Sequence, residues 1–123
     1  MNEAIFHYSF GKDFHHPGQA GAYLKRIDRI RQELESFKPE VIIYQAGADA
    51  HCEDPLGGIL TTEELMERDR KVFEIAKDLG VGIAWTLAGG YQRDPDGGIS
   101  KVVEIHLNTF RAVMVVTMIS CGN

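Results

Sequence analysis

Short β-type runs alternate with longer segments of helical period along this chain, and no other feature limits the possible folds as strongly. The β-type runs are residues 4–9, 41–44 and 81–87. After each run, apolar residues recur at spacings of three and four, the period of a helix with one buried face. Strands that alternate with helices form βαβ units on a parallel sheet. We therefore predict an α/β fold with a parallel sheet, in a single domain spanning residues 1–123.

Local signals set the limits of the predicted elements. Thr61 and Glu64 have the spacing of a capping box at the start of the second helix, and Gly80 suits a left-handed cap at its end. Ser100 is predicted to cap the third helix. The run 41–44 is apolar on both of its faces, so we expect helices to cover this strand on each side.

The composition excludes several classes of function. Thirteen basic and eighteen acidic residues give a net charge of −5, and without a basic stripe we predict no nucleic-acid partner. The longest apolar run, 112–119, is less than half of the roughly 20 residues that a membrane span needs, so we predict no membrane partner. Cys52 and Cys121 lie far apart without CxxC spacing, which argues against a disulfide framework and against a zinc ribbon. Free thiols and the lack of a secretory signal predict a cytoplasmic protein.

Three long loops follow the three predicted strands, at residues 10–19, 46–60 and 88–99. In an open parallel sheet, ligands bind beyond the carboxyl ends of the strands. Each loop is longer than a strand-to-helix connection requires, and loops of excess length usually carry function. They contain no GxGxxG or Walker spacing, so a nucleotide site is not expected.

Two of these loops carry motifs with a recognisable order and spacing. The first is Gly-Ala-Asp-Ala-His at 47–51 with Asp-Pro-Leu-Gly-Gly at 54–58, and the second is Leu-Ala-Gly-Gly-Tyr at 87–91. Together they resemble the histone deacetylase superfamily, which includes acetoin-utilisation proteins and acetylpolyamine amidohydrolases. The resemblance covers roughly residues 4–112. It implies a three-layer arginase/deacetylase-like fold, of which this chain would be the C-terminal portion.

The resemblance also implies roles for four residues. Asp49 matches the aspartate that binds the catalytic Zn²⁺, and a carboxylate oxygen is an accepted zinc ligand. Tyr91 matches the tyrosine whose hydroxyl polarises the acetyl carbonyl and then holds the oxyanion. Gly89 and Gly90 match the glycines that line the substrate tunnel and let the backbone approach the metal. The implied substrate is acetyl-lysine or an acetylated polyamine.

The first loop carries a fainter likeness to the same family. Ser9 and Phe10 resemble the strand end that offers oxygens to a structural K⁺. His16 falls in the segment that forms the tunnel wall, where the family often has phenylalanine. This departure leaves the shape of the tunnel, and hence the substrate, open.

The remaining histidines and the cysteine of the second loop are given structural roles. His15 and His16 are a poor match for the family's general-base pair, because Pro17 follows them directly as in the tunnel segment. His51 is interpreted as a loop residue or a residue just behind the metal ligand, and Cys52 as unreactive. A histidine on the third helix, His106, is expected to pack against its neighbours.

In the family, the other two zinc ligands are the aspartate and the histidine of an Asp-x-His motif that follows an earlier strand. We expect this motif and the histidine pair to lie before Met1. We therefore expect the isolated chain to bind no zinc tightly and to be inactive.

One alternative is a non-catalytic α/β module that assembles without metal chemistry, and another is a flavodoxin-like or Rossmann-like binding domain. An incomplete sheet and the apolar residues within 113–119 predict a homo-oligomer.

Overall fold

The computed structural model of this chain describes residues 4–11 and 13–121, with side chains as far as Met118. In chain order the helices and strands are α1 (Ala20–Phe37), β1 (Val41–Gly47), α2 (Thr62–Leu79), β2 (Gly82–Ala88) and α3 (Ser100–Cys121). Two short 3-10 turns, Pro17–Gln19 and Ala48–Ala50, precede α1 and follow β1. The side chains of Ile119 and Cys121 lie outside the described residues. The prediction of an α/β fold is confirmed.

The two strands pair in parallel, with residues 41–47 opposite residues 82–88. Gly47 lies opposite Ala88, so both strands end at the same level of the sheet. The loops that follow them therefore leave the sheet side by side. This register is what brings the two sequence motifs to one edge.

Helices α2 and α3 pack on one face of the sheet. Phe73 of α2 is the centre of this contact, with its ring centroid 5.9 Å from that of Tyr44 and 5.1 Å from that of Trp85. Edge-to-face aromatic pairs of this kind stabilise a core beyond the area they bury. The other members of the cluster come from both helices and from β2: Ala112, Val116, Met66, Ile83 and Val113.

A second cluster joins α1 to α2 and includes the loop after β1. Ile27 of α1 and Leu65 of α2 are both almost fully buried in it. Ala48 and Leu60, at the two ends of the loop that follows β1, are completely buried in the same cluster. That loop is therefore held by the core at both ends, which limits its freedom.

The opposite face of the sheet is exposed among the described residues. Val41 and Ile43 are 57% and 70% exposed, because side chains alternate across a strand and both α2 and α3 lie on the other face. The expectation that strand 41–44 is covered on each side is thus wrong for the described part of the chain. We call this surface, with Val41, Ile43 and Ala84, the bare face.

Residues 4–9 do not form the predicted strand. A strand needs a neighbour for its backbone hydrogen bonds, and here aromatic contacts hold the segment against α1 instead. The ring of Phe6 lies 5.7 Å from that of Phe37, and the ring of Phe10 stacks on Tyr23 at 4.3 Å. The β-type pattern in this segment reflects aromatic packing on a helix.

The ends of α2 follow the predicted signals. The Thr61 hydroxyl accepts a hydrogen bond from the Glu64 amide at 3.1 Å, and the Glu64 carboxylate accepts one from the Thr61 amide at 3.0 Å. Gly80 takes the left-handed conformation, with φ of 68°, and caps the far end. A capping contact of this kind stabilises a helix by about 1 kcal/mol.

The predicted cap of α3 is wrong. Ser100 is the first residue of the helix, and Asp94 takes the role of the cap. The Asp94 carboxylate accepts hydrogen bonds from the Ser100 amide at 2.9 Å and from its hydroxyl at 2.7 Å. These contacts lower the pKa of Asp94. A cap six residues away in sequence is supplied by the folded loop, which a local pattern does not reveal.

Apolar side chains cover the outward side of α3. We call them the α3 stripe, and its members are 42–65% exposed: Val103, Leu107, Phe110, Met114, Val115 and Met118. Val116, which the sequence grouped with them, is buried against α2. No helix in the described part of the chain has both the length and the apolar character needed to cross a bilayer.

Candidate active site

Asp49 lies directly beyond the end of β1, in the 3-10 turn Ala48–Ala50. Its carboxylate is seated between two glycines. A Cβ atom on Gly47 would lie 2.7 Å from Asp49 Oδ1, and one on Gly89 would lie 2.5 Å from the same oxygen. Gly89 also has a φ of 58°, which favours glycine. We call Gly47, Asp49 and Gly89 the carboxylate cradle, because only glycines leave room for the aspartate there.

The backbone after Gly89 is equally tight. Gly90 has a φ of 101°, and a Cβ atom on it would lie 2.7 Å from Val102 Cγ1 and 3.0 Å from Ala48 Cβ. The chain therefore passes between the start of α3 and the turn that carries Asp49. Tyr91 comes next and is 53% exposed, so its side chain is accessible to a ligand.

Asp54 connects the two loops that carry the sequence motifs. It is buried, with 5% of its surface exposed. One carboxylate oxygen, Oδ1, accepts the Leu56 amide at 2.9 Å, and the other, Oδ2, accepts the Tyr91 amide at 2.8 Å. Asp54 belongs to the first sequence motif, but no role was predicted for it. In the structure it ties the backbone of Tyr91 to the loop of Asp49.

His51 is a buried residue of the same loop. Asp49, Ala50 and His51 have Asp-x-His spacing, so His51 could in principle join Asp49 at a metal ion. However, one ring nitrogen of His51 is engaged within the loop and the other at the start of α2. Nδ1 accepts the Glu53 amide at 3.1 Å, so in the neutral ring Nε2 donates to the Thr62 hydroxyl, also at 3.1 Å. This geometry agrees with the prediction that His51 is a loop residue.

Comparison with known proteins decides the family. The model of the histone deacetylase domain matches residues 7–110. The chain belongs to the histone deacetylase family. Over 84 residues, 67% of this chain and 22% of the relative, it is 31% identical to histone deacetylase 2 of Arabidopsis thaliana. Over 103 residues, 80% of this chain and 22% of the relative, it is 34% identical to chloroplastic histone deacetylase 10 of Oryza sativa subsp. japonica.

A third relative, type-2 histone deacetylase 2 of Dictyostelium discoideum, is 30% identical over 83 residues, which are 66% of this chain and 5% of that protein. The matched part thus spans about a fifth of the length of the first two relatives, 22% in each case. The recognised resemblance to deacetylases and the deacetylase-like α/β fold are confirmed. The family is one of hydrolases.

A buried polar network adjoins the carboxylate cradle of this deacetylase segment. Arg68 of α2 donates from Nη1 to the carbonyl oxygen of Gly47 at 2.8 Å, and its Nε and Nη2 lie 3.0 and 2.9 Å from Asp69 Oδ1. Asp69, which is fully buried, also accepts the hydroxyls of Tyr44 and Thr109. The network joins β1, α2 and α3 and ends on the backbone of the cradle.

Burial and charge together fix the protonation states in this network. Burial raises the pKa of the Tyr44 phenol well above its usual value, so Tyr44 donates to Asp69 as a neutral hydroxyl. Burial works to lower the pKa of Arg68, but the negative charge of Asp69 and the hydrogen bond to it act in the opposite direction, and the net direction is upward. Burial also raises the pKa of Tyr23, and the negative charge of Asp49 adds to that shift.

Arg68 and Asp69 were not predicted as buried polar residues, although the sequence contains a signal for them. Leu65, Asp69, Val72 and Ala76 follow one another at spacings of four, three and four, and Arg68 is three residues after Leu65. Both charged residues therefore occupy the apolar stripe of α2. Charged residues on a buried face need partners, and the spacing of the apolar residues alone does not identify those partners.

The residues of the first loop lie apart from these contacts. Ser9 is exposed, and the carbonyl oxygen of Phe10 accepts the Asp13 amide at 3.1 Å. His16 is exposed just before the turn Pro17–Gln19, and its backbone amide donates to the Gln19 side chain at 3.0 Å. The hydrogen bonds of the cradle and of Asp54 include none of these residues. The potassium role of Ser9 and Phe10 and the tunnel role of His16 stay predictions.

The described residues contain no group of three or more His, Cys, Asp or Glu side chains placed to hold a metal ion. Within this part of the protein, Asp49 therefore does not belong to a complete set of three such ligands. Cys52 is a free, exposed thiol. His106 is half-buried on α3, as its predicted packing role requires.

Proposed function

We propose that this chain supplies part of the active site of a zinc-dependent deacetylase that hydrolyses acetyl-lysine or an acetylated polyamine. The main observation in favour is the arrangement at the common carboxyl edge of the two parallel strands. There the Asp49 carboxylate lies between Gly47 and Gly89, and Tyr91 follows Gly89 by two residues. Ligands of α/β proteins bind at that edge. We also propose a cytoplasmic protein, where the thiol of Cys52 stays reduced.

In this proposal Asp49 is one ligand of the zinc ion. An aspartate oxygen suits zinc, and the two glycines leave the carboxylate room without a competing side chain. The contact of Arg68 with the Gly47 carbonyl stiffens the backbone on which the carboxylate depends. When bound, zinc supplies Lewis acidity toward the acetyl carbonyl and a water molecule. We propose that other residues of the whole deacetylase provide the remaining ligands.

Tyr91 would act on the acetyl oxygen. A neutral phenol donates a hydrogen bond to an oxygen that becomes negative, and such a donor is most effective when its position is fixed in advance. Half of Tyr91 is exposed, which leaves its hydroxyl within reach of a substrate. Its backbone amide is held by Asp54. The chain thus offers a donor that is both accessible and anchored.

The first test uses the isolated chain. Because the described residues contain no group of three potential metal ligands, we expect no measurable hydrolysis of acetyl-lysine peptides or acetylpolyamines, with or without added zinc. Product release is measured by chromatography, with an intact histone deacetylase as positive control. Strong zinc-dependent turnover by the isolated chain would refute the proposal that the ligand set is shared with other residues.

The second test uses a complete deacetylase that contains this chain. Tyr91→Phe should lower kcat roughly 100-fold or more with zinc content intact, the range for the loss of one oxyanion donor. Asp49→Asn should instead lose zinc. Tyr8→Phe and Asp96→Asn are the matched controls, since neither residue belongs to the cradle. Wild-type rates and zinc content in both test variants would show that these roles are wrong.

A second candidate is an assembly module without metal chemistry. The exposed α3 stripe and the bare face favour it, because apolar surfaces of this kind mark association sites. The two candidates differ in what Asp49 does. In an assembly module, Asp49→Asn leaves the zinc content of the complete protein unchanged, whereas Met114→Lys changes its state of association.

A further inference from the structure

The carboxylate of Asp54 is buried, yet it faces no cationic side chain in the contacts described. A buried carboxylate is costly unless hydrogen bonds compensate it. Both of its oxygens accept backbone amides, that of Leu56 at 2.9 Å and that of Tyr91 at 2.8 Å. Hydrogen bonds to a charged acceptor are roughly twice as strong as neutral ones. The contact with Leu56 shapes the Asp54 turn itself, but the contact with Tyr91 reaches across 37 residues of sequence.

The position of this second contact is significant. Strand β2 ends at Ala88, and the next two residues, Gly89 and Gly90, have φ values of 58° and 101°. Glycines adopt these φ values without steric strain, but they provide no side-chain contacts that would hold the backbone. Tyr91 is the first residue after them, and its amide is the atom that Asp54 holds. The anchor therefore holds the chain directly after two residues that have no side chain to fix their own position.

We infer that Asp54 is a positioning residue for Tyr91, which it holds through the backbone amide at a fixed distance from the cradle of Asp49. The inference rests on the proposed role of Tyr91 as the oxyanion donor. A displacement of about 1 Å in a catalytic group can lower a rate about 100-fold. Loss of the Asp54 anchor should therefore reduce the catalytic step, even though Asp54 itself contacts no substrate.

The geometry is tested first in the 123-residue chain. Asp54→Ala should accelerate hydrogen exchange of the Tyr91 amide about ten- to hundredfold, the loss expected for a hydrogen bond to a charged group. Asp96→Ala is the matched control, because Asp96 Oδ1 accepts the amide two residues on, at Gly98, as Asp54 Oδ1 does at Leu56. Asp54→Asn serves if the alanine variant does not fold, and it should give a smaller acceleration, because one neutral oxygen replaces the two charged acceptors of the Leu56 and Tyr91 amides. Unchanged Tyr91 exchange in the Asp54 variants overturns the inference.

The catalytic consequence is tested in a complete deacetylase that contains this chain. Asp54→Ala should lower kcat at least tenfold, with KM and zinc content unchanged. Combined with Tyr91→Phe, it should add almost nothing, because its effect requires the Tyr91 hydroxyl. Losses that multiply in the double variant overturn the inference and indicate a general structural role. If Tyr91→Phe alone keeps the wild-type rate, the proposed function of Tyr91 fails, and the amide exchange still decides whether Asp54 anchors it.

Discussion

The buried pair of Arg68 and Asp69 allows a prediction whose size follows from the structure. Asp69→Asn keeps the shape of the side chain but removes its negative charge. The amide oxygen introduced there still accepts the Tyr44 hydroxyl, and the Thr109 hydroxyl turns from donor to acceptor. Arg68, with only 5% of its side chain exposed, then stays charged without a counter-ion. The damage should therefore come from one uncompensated cation.

Removal of one partner of a buried ion pair costs about 3–5 kcal/mol. A folded chain of 123 residues is stable by roughly 6–18 kcal/mol in total. Asp69→Asn should thus remove a large part of the stability. With a urea dependence of about 2 kcal/mol per molar, the unfolding midpoint should fall by about 2 M.

The paired variant separates charge from packing. Arg68→Met together with Asp69→Asn removes both charges. The main remaining loss is the hydrogen bond from the charged Arg68 to the Gly47 carbonyl, worth about 1.5–3 kcal/mol. The double variant should therefore be more stable than Asp69→Asn alone. Urea unfolding followed by circular dichroism measures the wild type, both single variants and the double variant. Additive losses, or an Asp69→Asn midpoint close to wild type, would refute the view that an unpaired buried cation dominates.

Three further predictions concern the cradle, the pH response and association. Gly89→Ala places a methyl group 2.5 Å from the Asp49 carboxylate, so a complete deacetylase with this change should contain less zinc, as measured by metal analysis. Gly97→Ala is the control, because Gly97 also has a positive φ but has open space around it, and this variant should keep its zinc. Burial raises the pKa of Tyr44 above its ordinary value of 10.0. Above about pH 10, the Tyr44 hydroxyl therefore ionises in the unfolded chain before it ionises in the folded chain, which favours unfolding. Urea titrations should show stability falling there, and the fall should be shallower in Tyr44→Phe; an equally steep fall would contradict the cause. Sedimentation at micromolar concentration should show an oligomer that Met114→Lys in the α3 stripe dissociates, and a monomeric wild-type chain would overturn this.

The sequence predicted the features that depend on local pattern and on simple topology. The cap formed by Thr61 and Glu64 needs only neighbouring residues, so its spacing was sufficient. The approach of the Asp49 and Tyr91 loops follows from two adjacent parallel strands that end at one level. Neither outcome required knowledge of side-chain packing.

The failures share a physical cause, which is dependence on a partner distant in sequence. The segment 4–9 has strand-like composition, but the aromatic surface of α1 holds it instead. The cap of α3 comes from Asp94, whose position depends on how its loop folds. The role of Asp54 requires that the Tyr91 amide lie 2.8 Å away. Composition and spacing carry no information about these distances.

The two anchor points of the loop after β1 determine where the polypeptide tolerates a change in length. Asp49 is fixed by the cradle and Asp54 by the Tyr91 amide, so an inserted or deleted residue between them must displace one of the two. The exposed turn at residues 95–97 is closed at its base by contacts of Asp94 with Gly98 and Ser100, so a residue added at its exposed tip need not displace either end. Engineered insertions should therefore be accepted at that turn and rejected between Asp49 and Asp54, which makes the turn the natural place for a tag or a reporter group.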